Sequence, residues 1–134
     1  MEQVSGGPEV IQLKGSPSDG YRRLAAWQKA DELAYQVYQA TKQFPGDERF
    51  GLTSQMRRAS VSVAANIVEG YAHSSAKEQR RFFEIARASL TELEYYIDFS
   101  HQRLAYITQE QFALLRALRQ DTGRLLYGLL RFRR

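Results

Sequence analysis

The sequence of 134 residues contains no cysteine and only two histidines and three prolines. The lack of cysteine excludes disulfide bonds, thiol nucleophiles and thiolate metal sites. Neither His73 nor His101 follows a glutamate by three residues, so the paired Glu-x-x-His motif of di-iron bundles is absent. No apolar run approaches the roughly 18 residues that a membrane span requires. These absences predict a cytoplasmic protein with no metal, no cofactor and no membrane contact.

Motifs for catalysis are also missing. There is no Gly-x-x-x-x-Gly-Lys phosphate loop, and no glycine-rich segment follows a strand-like run. Serines are plentiful, but none lies in a strained elbow motif beside an evident base. The sequence therefore predicts that the protein is not an enzyme and directs attention to what it binds.

The first 20 residues differ in composition from the rest. They hold four glycines, two prolines and three serines, with only scattered apolar residues. They lack the basic-then-apolar layout of a secretory signal. We expect residues 1–20 to form a flexible leader and residues 21–134 to form one helical domain.

Beyond the leader, apolar residues recur at three- and four-residue steps, the spacing of one helix face. Pro45-Gly46 is expected to end the first helix. Thr53 or Ser54 is the expected cap of the second. Capping boxes at Ser75–Glu78 and Thr108–Gln111 are expected to open the third and fourth. No alternating run indicates a strand. The sequence thus predicts an all-α, antiparallel up-down-up-down four-helix bundle.

The predicted core is one apolar stripe on each helix. The stripes consist of Trp27, Ala30, Ala34, Val37, Thr41 and Phe44; Met56, Ala59, Val63, Ile67 and Tyr71; Phe82, Ala86, Leu90, Leu93, Ile97, Ser100 and Leu104; and Phe112, Leu115, Thr122, Leu126 and Leu129.

Positive charge is concentrated outside the leader. Residues 21–134 contain 18 basic and 12 acidic residues, a net charge of +6, and 15 of the basic residues are arginine. Arginine pairs bidentately with phosphate and carboxylate groups and stacks on flat rings. This bias favours binding to nucleic acid or to an acidic protein surface. A solvated helical surface in an arginine-rich protein would have the same composition.

The basic residues form three clusters, and they are the candidate nucleic-acid-binding residues. Helix dipoles favour cations at the end of the last helix and oppose them in the first turn of the third helix. The cations of that first turn therefore need another explanation, which phosphate binding or acidic neighbours could provide. We expect Arg80 and Arg81 to face outward, because Phe82 and Phe83 fill the core face. The candidates are Arg57, Lys77, Arg80, Arg81, Arg87, Arg131, Arg133 and Arg134.

A polar stripe follows a second face of the second helix. Arg58, Ser62 and Glu69 fall within about 40° of one another at 100° per residue, and Asn66 lies beside them. The partner of this stripe would be the third helix, which offers Glu92 and Glu94, or a neighbouring subunit. We interpret the six residues as a structural or interface network.

Several segments together resemble a known protein family. They are Trp27-Gln28-Lys29-Ala30, Phe44-Pro45, Phe50-Gly51-Leu52 with Gln55 and Arg57-Arg58-Ala59, Val61 to Gly70, and Phe82, Ile85-Ala86, Ser89-Leu90 and Glu92-Leu93-Glu94. This combination resembles the small four-helix-bundle proteins encoded in intervening sequences of 23S ribosomal RNA genes, over roughly residues 21–130. Ala64 replaces the proline usual in that family, so the second helix is expected to run straighter.

The resemblance implies a ring-like homopentamer. A related branch is the accessory protein of diversity-generating retroelements, a basic pentamer that binds nucleic acid and a reverse transcriptase. The sequence therefore favours a non-enzymatic homo-oligomer that binds RNA or DNA through arginines. The alternative is an adaptor for a partner protein, such as an accessory subunit of a reverse transcriptase. Nucleic-acid binding should weaken steeply with salt, and adaptor binding should weaken less.

Overall fold

The structure, a computed structural model, describes residues 17–132. It contains four α-helices and, in the described residues, no strand, so the predicted all-α class is confirmed. Residues 1–16 of the predicted leader lie outside the described residues. The last four leader residues, 17–20, belong to a short 3-10 segment. The helices are α1, Ala25–Thr41; α2, Leu52–Ala72; α3, Ala76–Asp98; and α4, Gln109–Arg131.

Three shorter segments complete the described chain. Two are 3-10 segments, Pro17–Arg23 before α1 and Gly46–Glu48 between α1 and α2. The third is a π-helical segment, Phe99–Arg103, which directly extends α3. With it the third helix runs close to the predicted length of about 30 residues. Helix α2 continues without interruption through Ala64, the position where the family usually has proline.

The four helices form a bundle around a single apolar core. Helix α1 packs against α2 and α4, and α3 packs against the same two helices. Most predicted stripe residues are buried, and Val63, Ile67, Leu93 and Leu126 are fully enclosed. Burial of side chains of this size typically stabilises a fold by about 1.5–3 kcal/mol each, which explains why these stripes determine the packing.

The prediction was wrong at the start of α3, where Phe83 and not Phe82 enters the core. Phe83 is 1% exposed and packs against Gly70 of α2. A Cβ atom at Gly70 would lie 2.4 Å from Phe83 Cε1, so the ring occupies the space that any other residue would fill. Phe82 instead stacks on His73, with ring centroids 5.0 Å apart. Tyr71, also predicted in the core, is 41% exposed.

The helix starts agree with the sequence in part. Thr108 and Gln111 form the predicted reciprocal capping box of α4. The Ser75 hydroxyl accepts the predicted hydrogen bond from the backbone N–H of Glu78. The predicted cap of α2 was wrong, because the helix begins at Leu52 and its N–H donates to Glu48 Oε1 at 3.2 Å.

Candidate nucleic-acid interface

Two predicted basic clusters, distant in sequence, meet on one side of the bundle. Arg80 and Arg87 of α3 and Arg131 of α4 line a shallow depression with Tyr127 and Leu130. Lys77 and Arg81 lie on the same outward arc of α3, at 100° per residue. Arg133 and Arg134 lie outside the described residues. We call Lys77, Arg80, Arg81, Arg87 and Arg131 the α3–α4 basic surface.

Three arginines of the α3–α4 basic surface are paired with carboxylates. Arg80 Nη2 and Arg87 Nε lie 3.2 Å and 2.9 Å from the two oxygens of Glu84. Arg81 Nε lies 3.2 Å from Glu78 Oε1. Acidic neighbours, the alternative explanation for cations in this part of the helix, are therefore present.

Arg80 also has a structural contact that the sequence did not predict. Its Nη1 donates to the carbonyl oxygen of Leu130 at 2.9 Å, near the end of α4. The last carbonyls of a helix lack partners within the helix, and a cation is favourable there. The expectation that Arg80 is free to face outward was therefore wrong, because it links α3 to α4. Arg81, with 57% of its side chain exposed, does face outward.

The remaining predicted candidate, Arg57, lies on a different surface. Tyr38 of α1, Arg49 and Phe50 of the connection, and the first turns of α2 form a shallow hollow there. We call this region the arginine–aromatic surface; it consists of Tyr38, Arg49, Phe50, Thr53, Ser54, Arg57 and Arg58.

Two arginines of the arginine–aromatic surface lie over aromatic rings. The Arg57 guanidinium carbon is 4.6 Å from the Tyr38 ring centroid, and that of Arg49 is 5.5 Å from the Phe50 centroid. Phe50 is 88% exposed and Tyr38 is 40% exposed. A cation over a ring face is attracted by the negative quadrupole of the ring. The geometry therefore presents flat rings and positive charge together at the surface.

Arg57 is held in place by α1. Its Nε donates to the buried Thr41 hydroxyl at 2.8 Å, and Thr41 Oγ1 in turn donates to the carbonyl of Val37. Arg57 Nη2 also reaches the Tyr38 carbonyl at 3.4 Å. The neighbouring Arg58 donates a hydrogen bond of 3.4 Å from Nη2 to Ser54 Oγ. The hydrogen bonds of Arg57 preorganise its side chain in the absence of a ligand.

The charge on the arginine–aromatic surface is not neutralised by the described part of the chain. None of Arg49, Arg57 and Arg58 forms an ion pair within residues 17–132. The adjacent Glu48 turns away and accepts a hydrogen bond of 2.9 Å from the Tyr106 hydroxyl. This hydrogen bond raises the pKa of Tyr106 above its usual 10.0, because the phenol proton is shared with a carboxylate.

The predicted polar network divides into separate contacts. The Ser62 and Ser89 hydroxyls lie 2.8 Å apart between α2 and α3, and Asn66 Nδ2 donates to Ser62 Oγ at 3.1 Å. Arg58 is not part of this cluster. Glu69 is exposed and has no polar partner among the described residues. Ser89, which the sequence reasoning missed, could have been found as a small polar residue on the α2-facing side of α3.

The two glutamates assigned to that network also have other partners. Glu92 accepts a hydrogen bond of 2.7 Å from the Tyr96 hydroxyl, which raises the pKa of Tyr96. Glu94 pairs with Arg119 at 3.1 Å and Arg116 at 3.5 Å, both on α4. The prediction that Glu94 faces the α2 stripe was wrong. At 100° per residue Glu94 lies about 140° around α3 from Ser89, which contacts α2, and it therefore faces α4.

Among residues 17–132, no group of three histidine, aspartate or glutamate side chains is arranged to hold a metal ion. His101 stacks on Phe112 with ring centroids 4.0 Å apart, as His73 does on Phe82. None of the described helices is both long enough and apolar enough to cross a bilayer.

The sequence pattern of the 23S rRNA-intervening sequence proteins matches residues 22–128. The chain belongs to this family. The match includes all four helices except the last residues of α4, and it therefore includes most of both surfaces. No curated protein matches the sequence.

Solved structures similar to this member of the 23S rRNA-intervening sequence proteins include the following one. It is a protein of unknown function from the S23 ribosomal protein family of Bacteroides thetaiotaomicron. The TM-score is 0.69 at 24% sequence identity, over 78% of this chain and 97% of the other. At that identity the likeness demonstrates a shared fold.

Proposed function

We propose that the protein is a non-enzymatic, cytoplasmic homopentamer that binds RNA through its arginine-rich surfaces. The observation that supports this function most directly is the α3–α4 basic surface. Arg131 is more than 40 positions from Arg80 and Arg87 in sequence. All three nevertheless line one depression, together with Glu84 and the exposed ring of Tyr127. Arginine and an aromatic ring together suit a phosphate chain with flat bases.

We propose that the four helices run antiparallel, up-down-up-down. Contacts between α3 and α4 support this topology, because Arg80 reaches Leu130 and Asp98 reaches Arg116. Residues early in one helix thus meet residues late in the next. In this arrangement the start of α3 and the end of α4 lie at the same end of the bundle, where the basic surface lies.

Assembly would strengthen a weak contact. Five copies of a body with a net charge of +6 would carry about +30, enough to attract a polyanion strongly. Several modest sites on one ring also bind one RNA chain more tightly than any single site does. Light scattering should give about five times the monomer mass of 15.4 kDa. A monodisperse monomer at micromolar concentration would contradict the pentamer.

RNA binding is tested by fluorescence anisotropy with a labelled single-stranded RNA over a range of salt concentrations. We expect the logarithm of the affinity to fall linearly with the logarithm of the salt concentration. The variant Arg81→Gln should make this slope shallower by about 0.7, the value for one lost phosphate contact on a single strand. The control Arg103→Gln removes one exposed charge from the far end of the third helix and should change the slope less.

An adaptor for a partner protein, such as a reverse transcriptase, is the second candidate. Exposed rings outside both arginine surfaces favour it, notably Tyr35 and Tyr95, which are 57% and 61% exposed. Large exposed aromatic side chains are typical anchors of protein interfaces. A stable pentamer that shows no salt-sensitive RNA or DNA binding, even at low ionic strength, would favour the adaptor over the RNA-binding function.

A further inference from the structure

We propose that the arginine–aromatic surface is a stacking site for unpaired bases, which makes the protein selective for single-stranded over duplex RNA. This inference rests on the proposed function, because it specifies the form of nucleic acid that is bound. It also places a binding site at residues outside the α3–α4 basic surface. Tyr38 and Phe50 would contact bases, and Arg49, Arg57 and Arg58 would contact phosphates or extend the stacks.

The exposure of Phe50 is the first observation. Its ring is 88% exposed, more than any other large apolar side chain among the described residues. Leaving a phenyl ring in water forgoes the stabilisation that its burial would give. The Arg49 guanidinium carbon lies 5.5 Å from the ring centroid, and most of the ring surface remains open. The ring is therefore available for a flat partner.

The second observation is the geometry around Tyr38. The Arg57 guanidinium lies 4.6 Å from the ring centroid and is held there by the buried Thr41 hydroxyl at 2.8 Å. An arginine fixed in this way loses little freedom when it binds a phosphate. Arg57 therefore places positive charge beside a ring that is 40% exposed. A nucleotide needs the same combination, because its base is flat and its phosphate is negative.

The third observation is the absence of competing carboxylates. Among the described residues, none of the three arginines on this surface is in an ion pair, and Glu48 is occupied by Tyr106 and Leu52. From Arg49 to Val68 the sequence contains no acidic residue at all. A phosphate that approaches this surface does not have to displace an internal salt bridge.

The same features favour single strands over duplexes. In duplex RNA the base faces are stacked on one another, and the deep, narrow major groove is closed to side chains. An exposed phenyl ring beside α2 can reach base faces only where the strand is unpaired. Duplex RNA would meet the arginines alone. We therefore expect the rings to strengthen binding to single-stranded RNA only, and the arginines to strengthen binding to both single-stranded and duplex RNA.

The test compares two labelled probes of equal length and charge by fluorescence anisotropy at fixed salt. One is a 12-nucleotide oligouridylate and the other is a 12-unit abasic oligonucleotide, which retains the phosphates and lacks the bases. We expect the parent protein to bind the oligouridylate more tightly. Phe50→Ala should weaken oligouridylate binding about 5- to 100-fold, the range for one lost base stack. It should leave abasic binding and the salt slope unchanged, because no phosphate contact is lost.

Two further variants separate stacking from a loss of structure. Phe50→Trp should retain oligouridylate affinity, and the fluorescence of the introduced indole should be quenched when a base stacks on it. Tyr71→Ala removes an aromatic side chain of similar type, 41% exposed, from the far end of α2. That end is about 30 Å away at 1.5 Å per residue, so oligouridylate binding should not change.

Three results would overturn the inference. They are equal affinity of the parent for both probes, unchanged oligouridylate affinity in Phe50→Ala, and a fall in the oligomer mass of Phe50→Ala in light scattering. The last result would assign the surface to contact between copies of the chain. Failure of the proposed function looks different, because then neither probe would bind at any salt concentration.

Discussion

On the α3–α4 basic surface Arg80, Arg81 and Arg87 each pair with a glutamate. On the arginine–aromatic surface Arg49 and Arg57 lie over rings, as Arg81 does over Phe82, but pair with no described carboxylate. The first surface has more basic residues, but much of its charge is internally balanced. The second has fewer, and no described carboxylate opposes them. The number of basic residues in a cluster is therefore a poor measure of the charge that a ligand meets.

The two surfaces differ in charge balance because acidic residues are spaced differently along α3 and α2. Glutamates at three- and four-residue steps from arginines face them on the same side of α3, as Glu84 faces Arg80 and Arg87. Exposed pairs of this kind contribute only about 0.2–1 kcal/mol each, so a phosphate could replace the carboxylate at modest cost. On α2 the first acidic residue is Glu69, more than two turns beyond Arg58. The arginines near the start of α2 therefore have no carboxylate on the same helix within reach of an ion pair.

The largest effect we expect concerns the close contact between α2, which carries Arg57, and α3, which carries Arg80 and Arg81. Gly70→Ala would place a methyl group 2.4 Å from the buried Phe83 ring, between α2 and α3. We expect the free energy of unfolding to fall by about 1–3 kcal/mol, even though alanine favours helix by about 0.5–1 kcal/mol. Urea denaturation measures the change.

Gly123→Ala is the matched control for that substitution. Its added Cβ would meet Arg119 Nη1 at 3.3 Å and Leu90 Cδ2 at 3.5 Å, and the guanidinium is the movable end of a flexible side chain. We expect no loss of stability, or a small gain. Equal stability of the two variants would contradict the view that Gly70 sets the distance between α2 and α3.

A smaller effect should separate neighbouring arginines within the α3–α4 basic surface. Arg80→Gln removes the hydrogen bond to the Leu130 carbonyl and should lower the free energy of unfolding by about 0.5–1.5 kcal/mol. Arg81→Gln removes an exposed pair with Glu78 and a contact with the Phe82 ring, both at the surface, and should stay within about 0.5 kcal/mol of the parent. If Arg81→Gln is the more destabilised variant in thermal or urea unfolding, the assignment of Arg80 as a link between helices is wrong.

The four helices could be predicted from the sequence because apolar periodicity and capping residues are local signals. Ser75 and Thr108 form caps with residues three positions away. Two of the errors occurred where a distant residue decides the outcome. Gly70 of α2 selects Phe83 over Phe82, and Leu130 of α4 engages Arg80.

For the candidate site too, local features could be predicted from the sequence, and contacts between distant residues could not. The basic clusters were visible as runs in the sequence, but their convergence depends on how α3 and α4 pack. Tyr38 was missed because only the packing of α1 on α2 brings it beside Arg57. Phe50 directly follows Arg49 in the sequence, but its exposure is visible only in the structure. The lack of acidic residues from Arg49 to Val68 was a local signal that could have drawn attention to this surface.

The smallest effect we expect tests directly whether carboxylates limit RNA binding on the α3–α4 basic surface. Glu84→Gln would release both Arg80 and Arg87 from their shared partner. Each arginine that then gains a phosphate contact should steepen the salt slope of RNA binding by about 0.7. The variant should therefore bind a labelled single-stranded RNA more tightly at low salt, with a difference that shrinks as salt rises. Thermal unfolding should change little, because each lost pair contributes only about 0.2–0.5 kcal/mol.

Glu92→Gln is the control for Glu84→Gln, because it removes the same charge from the same helix. Glu92 is hydrogen-bonded to Tyr96 and neutralises no described arginine of the basic surface. If the basic surface binds RNA, Glu84→Gln should steepen the salt slope and Glu92→Gln should not. An equal gain in both variants would mean that net charge alone attracts RNA. The α3–α4 basic surface would then have no special role, and the contrast between the two arginine surfaces would have no consequence for binding.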